Sequence, residues 1–160
     1  MAFAPFDLRG RVALITGGNG GIGLGMAEGI AAAGGDVCIW GTNPDKNAAA
    51  RERLAAHGTR IAAKVCDVAD EAAVERCFAE TLEEFGRVDG CFANAGVGGR
   101  NTAFDDMTTE EWNRIMAVNL DGVFWTFRAA ARHMRQRAEA GDPFGRLVGT
   151  ASLAAISGQA

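Results

Sequence analysis

Glycine is concentrated in one short stretch, Thr16-Gly17-Gly18-Asn19-Gly20-Gly21-Ile22-Gly23, directly after the apolar run Arg11–Thr16. Two spacings can be read in it: G-x-G-x-x-G on Gly18, Gly20 and Gly23, and G-x-x-x-G-x-G on Gly17, Gly21 and Gly23. Between a strand and a helix such a stretch suits a diphosphate. The turn needs positive φ, which glycine adopts without strain. The helix N-terminus that follows presents unpaired N–H groups and a partial positive charge. The plainer reading is a tight strand-to-helix turn, but a turn alone needs fewer glycines. Gly17, Asn19, Gly20, Gly21, Ile22 and Gly23 are therefore candidates for holding a nucleotide, with Gly23 letting the helix lie close to the sheet.

A loop of this kind is usually partnered by an acid at the end of the next strand, which holds the adenosine ribose. Here that position carries Gly41-Thr42-Asn43. There is no carboxylate to repel a 2′-phosphate and no arginine to attract one, so NAD and NADP both stay open. Three further polar residues are placed for chemistry. Asn94 stands at a strand end, where asparagine is also a common turn former. Asn119 is a mid-helix asparagine, a poor helix former; flanked by Val118 and Leu120, it is expected to turn inward. Ser152 follows an apolar strand. His57 and His133 are isolated and read as surface residues or helix-dipole partners. Arg128, Arg132, Arg135 and Arg137 read as a solvated helix face.

Strand-like and helix-like segments alternate along the whole chain. Buried strands are predicted at 11–16, 36–40, 60–66, 88–93 and 146–151 from short apolar runs bounded by glycine or turn residues. Helices are predicted at 22–33, 45–57 and 70–85, the last with Val74, Cys77, Phe78, Leu82 and Phe85 on one face. Thr108 and Glu111 form a capping box that opens a long helix to about Glu139. Its predicted apolar stripe is Trp112, Ile115, Met116, Val123, Phe124, Phe127 and Ala131; Trp112, Phe124, Trp125 and Phe127 are expected in the core or at an interface. Strict alternation with short connections predicts a doubly wound parallel sheet in three α/β/α layers, order 3-2-1-4-5, with ligands outside the carboxyl ends of the strands. No linker or repeat divides residues 1–160, which read as a single Rossmann-type dinucleotide-binding domain.

Composition narrows the function. Sixteen basic against twenty acidic residues give a net charge of −4, which offers no basic face for a phosphate backbone, so nucleic acid is not an expected partner. No apolar run approaches the roughly 20 residues of a membrane-spanning helix. The N-terminus lacks the pattern of a secretory signal. Cys38, Cys66, Cys77 and Cys91 lie far apart without metal-ligand spacing and read as buried thiols of a reducing compartment, with the cytoplasm as default. Tyrosine is absent from all 160 residues.

Five motifs in order resemble the short-chain dehydrogenase/reductase family. Thr16-Gly17-x-x-x-Gly21-Ile22-Gly23 is similar to its cofactor loop, Asp67-Val68 to its adenine-contacting pair, and Asn94-Ala95-Gly96 to a motif that borders the cofactor. Val118-Asn119-Leu120 resembles the segment carrying the family's catalytic asparagine, and Gly145 to Ser152 resembles its fifth strand with the catalytic serine. The resemblance implies hydride transfer between NAD or NADP and a small carbonyl or alcohol substrate. It implies catalytic roles for Ser152 and Asn119, cofactor contacts from Asp67, Val68, Asn94, Ala95 and Gly96, and a homodimer or homotetramer. The family's general acid/base is a tyrosine, with a lysine four residues later. By analogy both would fall just beyond Ala160, so the expectation is a chain that stops short of them and is inactive alone. The alternative is a catalytically inactive nucleotide-binding module.

Overall fold

The computed structural model describes residues 6–99, 103–153 and 157. The elements run β1 (Val12–Thr16), α1 (Gly21–Ala32), β2 (Asp36–Gly41), α2 (Pro44–Ala55), β3 (Ile61–Val65), α3 (Glu71–Phe85), β4 (Gly90–Ala93), α4 (Thr109–Met116), α5 (Gly122–Glu139) and β5 (Arg146–Gly149). All strand pairs are parallel and their order is β3-β2-β1-β4-β5. This is the doubly wound Rossmann-type sheet expected from the sequence. The loop expected around Ala160 lies outside the described residues.

Strand residues alternate between two cores, as pleating requires. Val12, Leu14, Cys38 and Trp40 point to the face covered by α3 and α5, together with Val74, Cys77, Phe78, Ala129 and Ala130. Ile15, Val37 and Ile39 point to the opposite face, against Ala27, Ala31, Ala50 and Leu54 of α1 and α2. Leu14, Ile15, Ile39 and Trp40 are fully buried, each contributing about 2 kcal/mol of hydrophobic stabilisation. The Trp40 indole N–H is not stranded; it donates to Thr81 Oγ1 at 3.3 Å. All four cysteines are buried and free.

Helix ends follow sequence chemistry. Asn43 and Asp70 cap α2 and α3 through their side-chain oxygens, and Gly86 ends α3 with φ of 78°. Thr108 Oγ1 accepts from the Glu111 N–H at 3.2 Å at the start of α4.

The long helix departs from expectation. It is two α-helices joined by one π turn, Ala117–Asp121, and its buried residues in α5 are Gly122, Thr126, Ala129 and Ala130. Trp112 and Phe124 of the anticipated stripe are exposed, whereas Trp125 and Phe127 pack against the core. The extra residue of the π turn resets the helical phase, so one continuous stripe cannot face the sheet.

The basic run on α5 is also more than a solvated face. Arg128 and Arg132 pair with Glu71 and Glu75 of α3. Arg137 reaches the Val88 carbonyl at 2.9 Å and the Asp89 carboxylate at 2.9 Å. His133 is half-buried and accepts the Val88 N–H at 3.2 Å, edge-on to Phe78.

Candidate functional site

Because every strand is parallel, all five carboxyl ends open on one side, and the candidate residues gather there. Thr16, at the end of β1, is 2 % exposed. Its hydroxyl accepts from the backbone N–H of both Asn94 and Ala95, each at 3.0 Å. The Asn94 amide donates back to the carbonyls of Thr16 and Gly17 at 3.2 and 3.4 Å, and its oxygen accepts from Thr150 Oγ1 at 3.2 Å. One asparagine thus joins the ends of β1, β4 and β5. Residues that look like turn formers in the sequence here lock the crevice where the sheet reverses its strand order.

The glycine stretch wraps over that crevice. Gly17 has φ of 64° and Gly21 of 50°, values that side-chain-bearing residues rarely adopt. A Cβ on Gly17 would stand 3.0 Å from Ala95 Cα, and one on Gly23 2.3 Å from the Gly17 carbonyl oxygen. Gly20 is the N-cap of α1 without a side-chain bond, so no side-chain oxygen of its own satisfies the N–H groups of the first turn. Ile22, beside them, is exposed. The result is bare backbone around a concavity, which a diphosphate requires.

Gly17, Asn19, Trp40, Gly41, Thr42, Cys66, Asp67, Val68, Ala95, Gly96, Val97 and Val118 line an open cleft of about 540 Å³. Of the residues expected to hold a cofactor, Gly17, Asn19, Gly41, Thr42, Asp67, Val68, Ala95 and Gly96 therefore share one hollow. Asp67 accepts the Ala69 N–H at 2.9 Å in a tight turn, which aims the Asp67-Val68 segment across the end of β3. Val68 is fixed from behind, since a Cβ on Gly122 would lie 2.8 Å from its Cγ2. Asn43 is placed differently from the rest. Its side chain is spent on the Lys46 N–H at 2.9 Å, so it shapes the rim by capping α2.

Asn119 sits within the π turn. Its oxygen accepts the Val97 N–H at 2.8 Å and its nitrogen donates to the Val97 carbonyl at 2.9 Å. Expected to turn inward, Asn119 is exposed and turns to the loop after β4, where its Oδ1 lies 3.4 Å from the place a Cβ on Gly96 would take. Ser152 lies exposed, three residues past the end of β5. The site residues that sequence reasoning passed over are Thr16 and Asn47. Asn47 is 3 % exposed and spans the rim under Asn19.

The family model for short chain dehydrogenase matches residues 11–160. The chain belongs to the short-chain dehydrogenase family. Among family relatives, it is 34 % identical over 150 residues to a sorbose reductase of Schizosaccharomyces pombe, covering 92 % of this chain and 57 % of that protein. It is 37 % identical over 131 residues to an NADP-dependent (R)-specific alcohol dehydrogenase of Lentilactobacillus kefiri, covering 81 % of this chain and 51 % of the relative. Among solved structures, an NAD+-bound xylitol dehydrogenase superposes with a TM-score of 0.90 at 30 % identity, over 96 % of this chain and 57 % of that one. A short chain dehydrogenase from Burkholderia cenocepacia in complex with NADP gives 0.85 at 33 %, over 96 % and 60 %. The chain spans about half the length of the curated relatives it matches.

Proposed function

We propose that residues 1–160 act as one dinucleotide-binding domain of an NAD(P)-dependent oxidoreductase that moves hydride between a nicotinamide and a small carbonyl or alcohol. The observation that carries this reading is the cleft beside the glycine loop, where Gly17 lines the hollow at positive φ and Gly23 packs so closely behind it that a Cβ would meet the Gly17 carbonyl at 2.3 Å. A nicotinamide cofactor supplies the hydride acceptor or donor. The chain's own residues bind and orient: Gly17, Asn19, Gly20, Gly21, Ile22 and Gly23 hold the diphosphate. Gly41, Thr42 and Asn43 form the ribose rim, and Asp67 with Val68 borders the adenine. Asn94, Ala95 and Gly96 form the wall nearest the nicotinamide. Ser152 hydrogen-bonds the substrate oxygen, and Asn119 steadies the loop through Val97 and holds a water for proton transfer.

The rim carries neither an acid against a 2′-phosphate nor an arginine for one, so the cofactor is NAD or NADP, decided by comparing the two affinities. Relatives named for sorbose, levodione and gluconate support a small carbonyl or alcohol as substrate. Exposed Trp112, Leu120 and Phe124 support a homodimer or homotetramer through α4 and α5; a monomeric mass in light scattering would remove that reading. Four free thiols support a reducing, cytoplasmic setting. No described helix is long and apolar enough to cross a membrane.

The test is titration with NADH and NADPH, read by nucleotide fluorescence. Saturable enhancement is expected for at least one; none for either overturns the reading. A polypeptide of these 160 residues has no tyrosine, so binding without turnover is expected from it, because acid–base chemistry needs a group to move the proton. Carbonyl-dependent NAD(P)H oxidation by it would refute that expectation. In a longer polypeptide that turns over, Ser152→Ala should lower kcat by roughly a hundredfold, within the range for general acid–base participants, with cofactor affinity unchanged. Equal loss of both would remove Ser152 from catalysis.

A further inference from the structure

The first helical turn of α2 carries a residue that its position does not explain. The buried face of that helix is Asn47, Ala50 and Leu54; two of the three are apolar, as a helix on a sheet demands. An asparagine at the third place costs stability unless every polar group it brings is satisfied. Here all of the groups that matter are used. Asn47 Nδ2 donates to the Gly41 carbonyl at the end of β2 and to the Lys64 carbonyl near the end of β3, each at 3.0 Å. Its oxygen accepts from Asn19 Nδ2 at 2.7 Å.

Asn19 belongs to the glycine loop and lines the cleft. The bridge passes directly over Gly41, where a Cβ would come within 2.2 Å of Asn19 Nδ2 and 2.6 Å of Asn47 Oδ1. Gly41 has no positive φ, so the missing side chain serves the bridge and not the backbone. Three pieces of chain that form separate parts of the cleft are thus pinned by one buried amide: the loop after β1, the end of β2 and the end of β3. The loop's own glycines give it the freedom to move, and the bond from Asn19 to Asn47 restrains it from the α2 side.

We propose that Asn47 is a positioning residue for the nucleotide, acting through Asn19 to hold the glycine loop in its binding shape before the ligand arrives. This rests on the cofactor reading given above. Preorganisation of this kind raises affinity because the ordering of the loop is not charged to binding. Asn47 touches no reacting atom, so its effect falls on cofactor affinity and KM and leaves kcat alone.

A double-mutant cycle tests it, using the 160-residue protein and titration with NADH and NADPH. Asn47→Leu should weaken the better-bound cofactor roughly five- to tenfold, the loss expected for one buried hydrogen bond. In an Asn19→Ala background the same change should cost less than about twofold, because coupled residues are not additive. Without ligand, amide exchange across residues 18–20 should quicken in Asn47→Leu. Equal losses in both backgrounds, or no loss in either, overturn the proposal. If the leucine prevents folding, Asn47→Ala, which cannot overfill the site, decides by the same two-background comparison. Failure of the unaltered protein to bind either cofactor would instead overturn the functional reading beneath it.

Discussion

The two ends of the sheet are held by opposite kinds of chemistry. At the amino ends, Asp89 is buried and gathers Arg87 at 2.6 Å, Arg137 at 2.9 Å, Arg11 at 3.3 Å and the Val12 N–H at 2.9 Å. Asp142 shares Arg87 and Arg137. At the carboxyl ends the ties are neutral: the Thr16 hydroxyl and the amides of Asn94, Asn19 and Asn47. The difference follows from what each end must do. Fixed charges give tight, directional closure at the amino ends. At the carboxyl ends neutral amides and bare glycine backbone do the holding, and Asp67 is the acidic side chain in the cleft lining.

Removing the charged clasp should show the largest effect. Asp89→Ala leaves three guanidinium groups facing a buried hole. It should cost about 3 kcal/mol, the low end for breaking a buried pair, since Arg11 and Arg87 are partly solvated. Urea unfolding reads the loss, and cofactor affinity in the surviving folded fraction should stay within about twofold if the two ends are independent. A large affinity change would erase the contrast.

Gly17→Val attacks the neutral end. It forces a side chain into positive φ and against the Ala95 backbone, at about 1–3 kcal/mol. Cofactor affinity should fall by up to roughly a hundredfold; unchanged affinity would take the loop out of the site.

The smallest effect is pH-dependent and belongs to the charged end alone. His133, which accepts the Val88 N–H, has its pKa lowered by burial first and by Arg137 next. The unfolded chain therefore takes up this proton more readily than the folded one, and stability falls as pH drops below about 6.5. Burial pushes the Asp89 carboxyl up, but Arg87, the Val12 N–H and Arg137 outweigh it and hold it below the usual carboxylate range. Its contribution is present above about pH 4 and lost as pH falls through the lowered value. Urea midpoints from pH 7.5 to 5 should decline, and His133→Gln, which keeps an acceptor, should flatten the upper part of that decline. An unchanged slope in the variant would assign it elsewhere.

What could be read in advance followed from local chemistry. Glycines that need positive φ, and apolar runs bounded by turn residues, carry their meaning in a few adjacent positions, so the loop, the strands and their order were legible. Asn47 was not, because an asparagine in a polar helix looks solvated until two strand-end carbonyls are known to sit beneath it. Arg137 and His133 were misread for the same reason; a basic residue on α5 gives no sign in the sequence that Val88 and Asp89 lie opposite. The apolar stripe failed because helical phase was assumed to run unbroken from Thr108 to Glu139, and the exposed Trp112 and Phe124 made it look continuous.

That broken phase is also what fixes the facing of α5. A π turn amounts to one residue inserted into an α-helix. Because the wide turn absorbs the extra residue, α5 keeps the facing it would have in a regular helix one residue shorter. Wound as unbroken α-helix at the same length, Ala117–Asp121 would turn α5 by about a quarter of a revolution against α4. Gly122 would then no longer meet Val68, and Asn119 would leave Val97, with every residue still present.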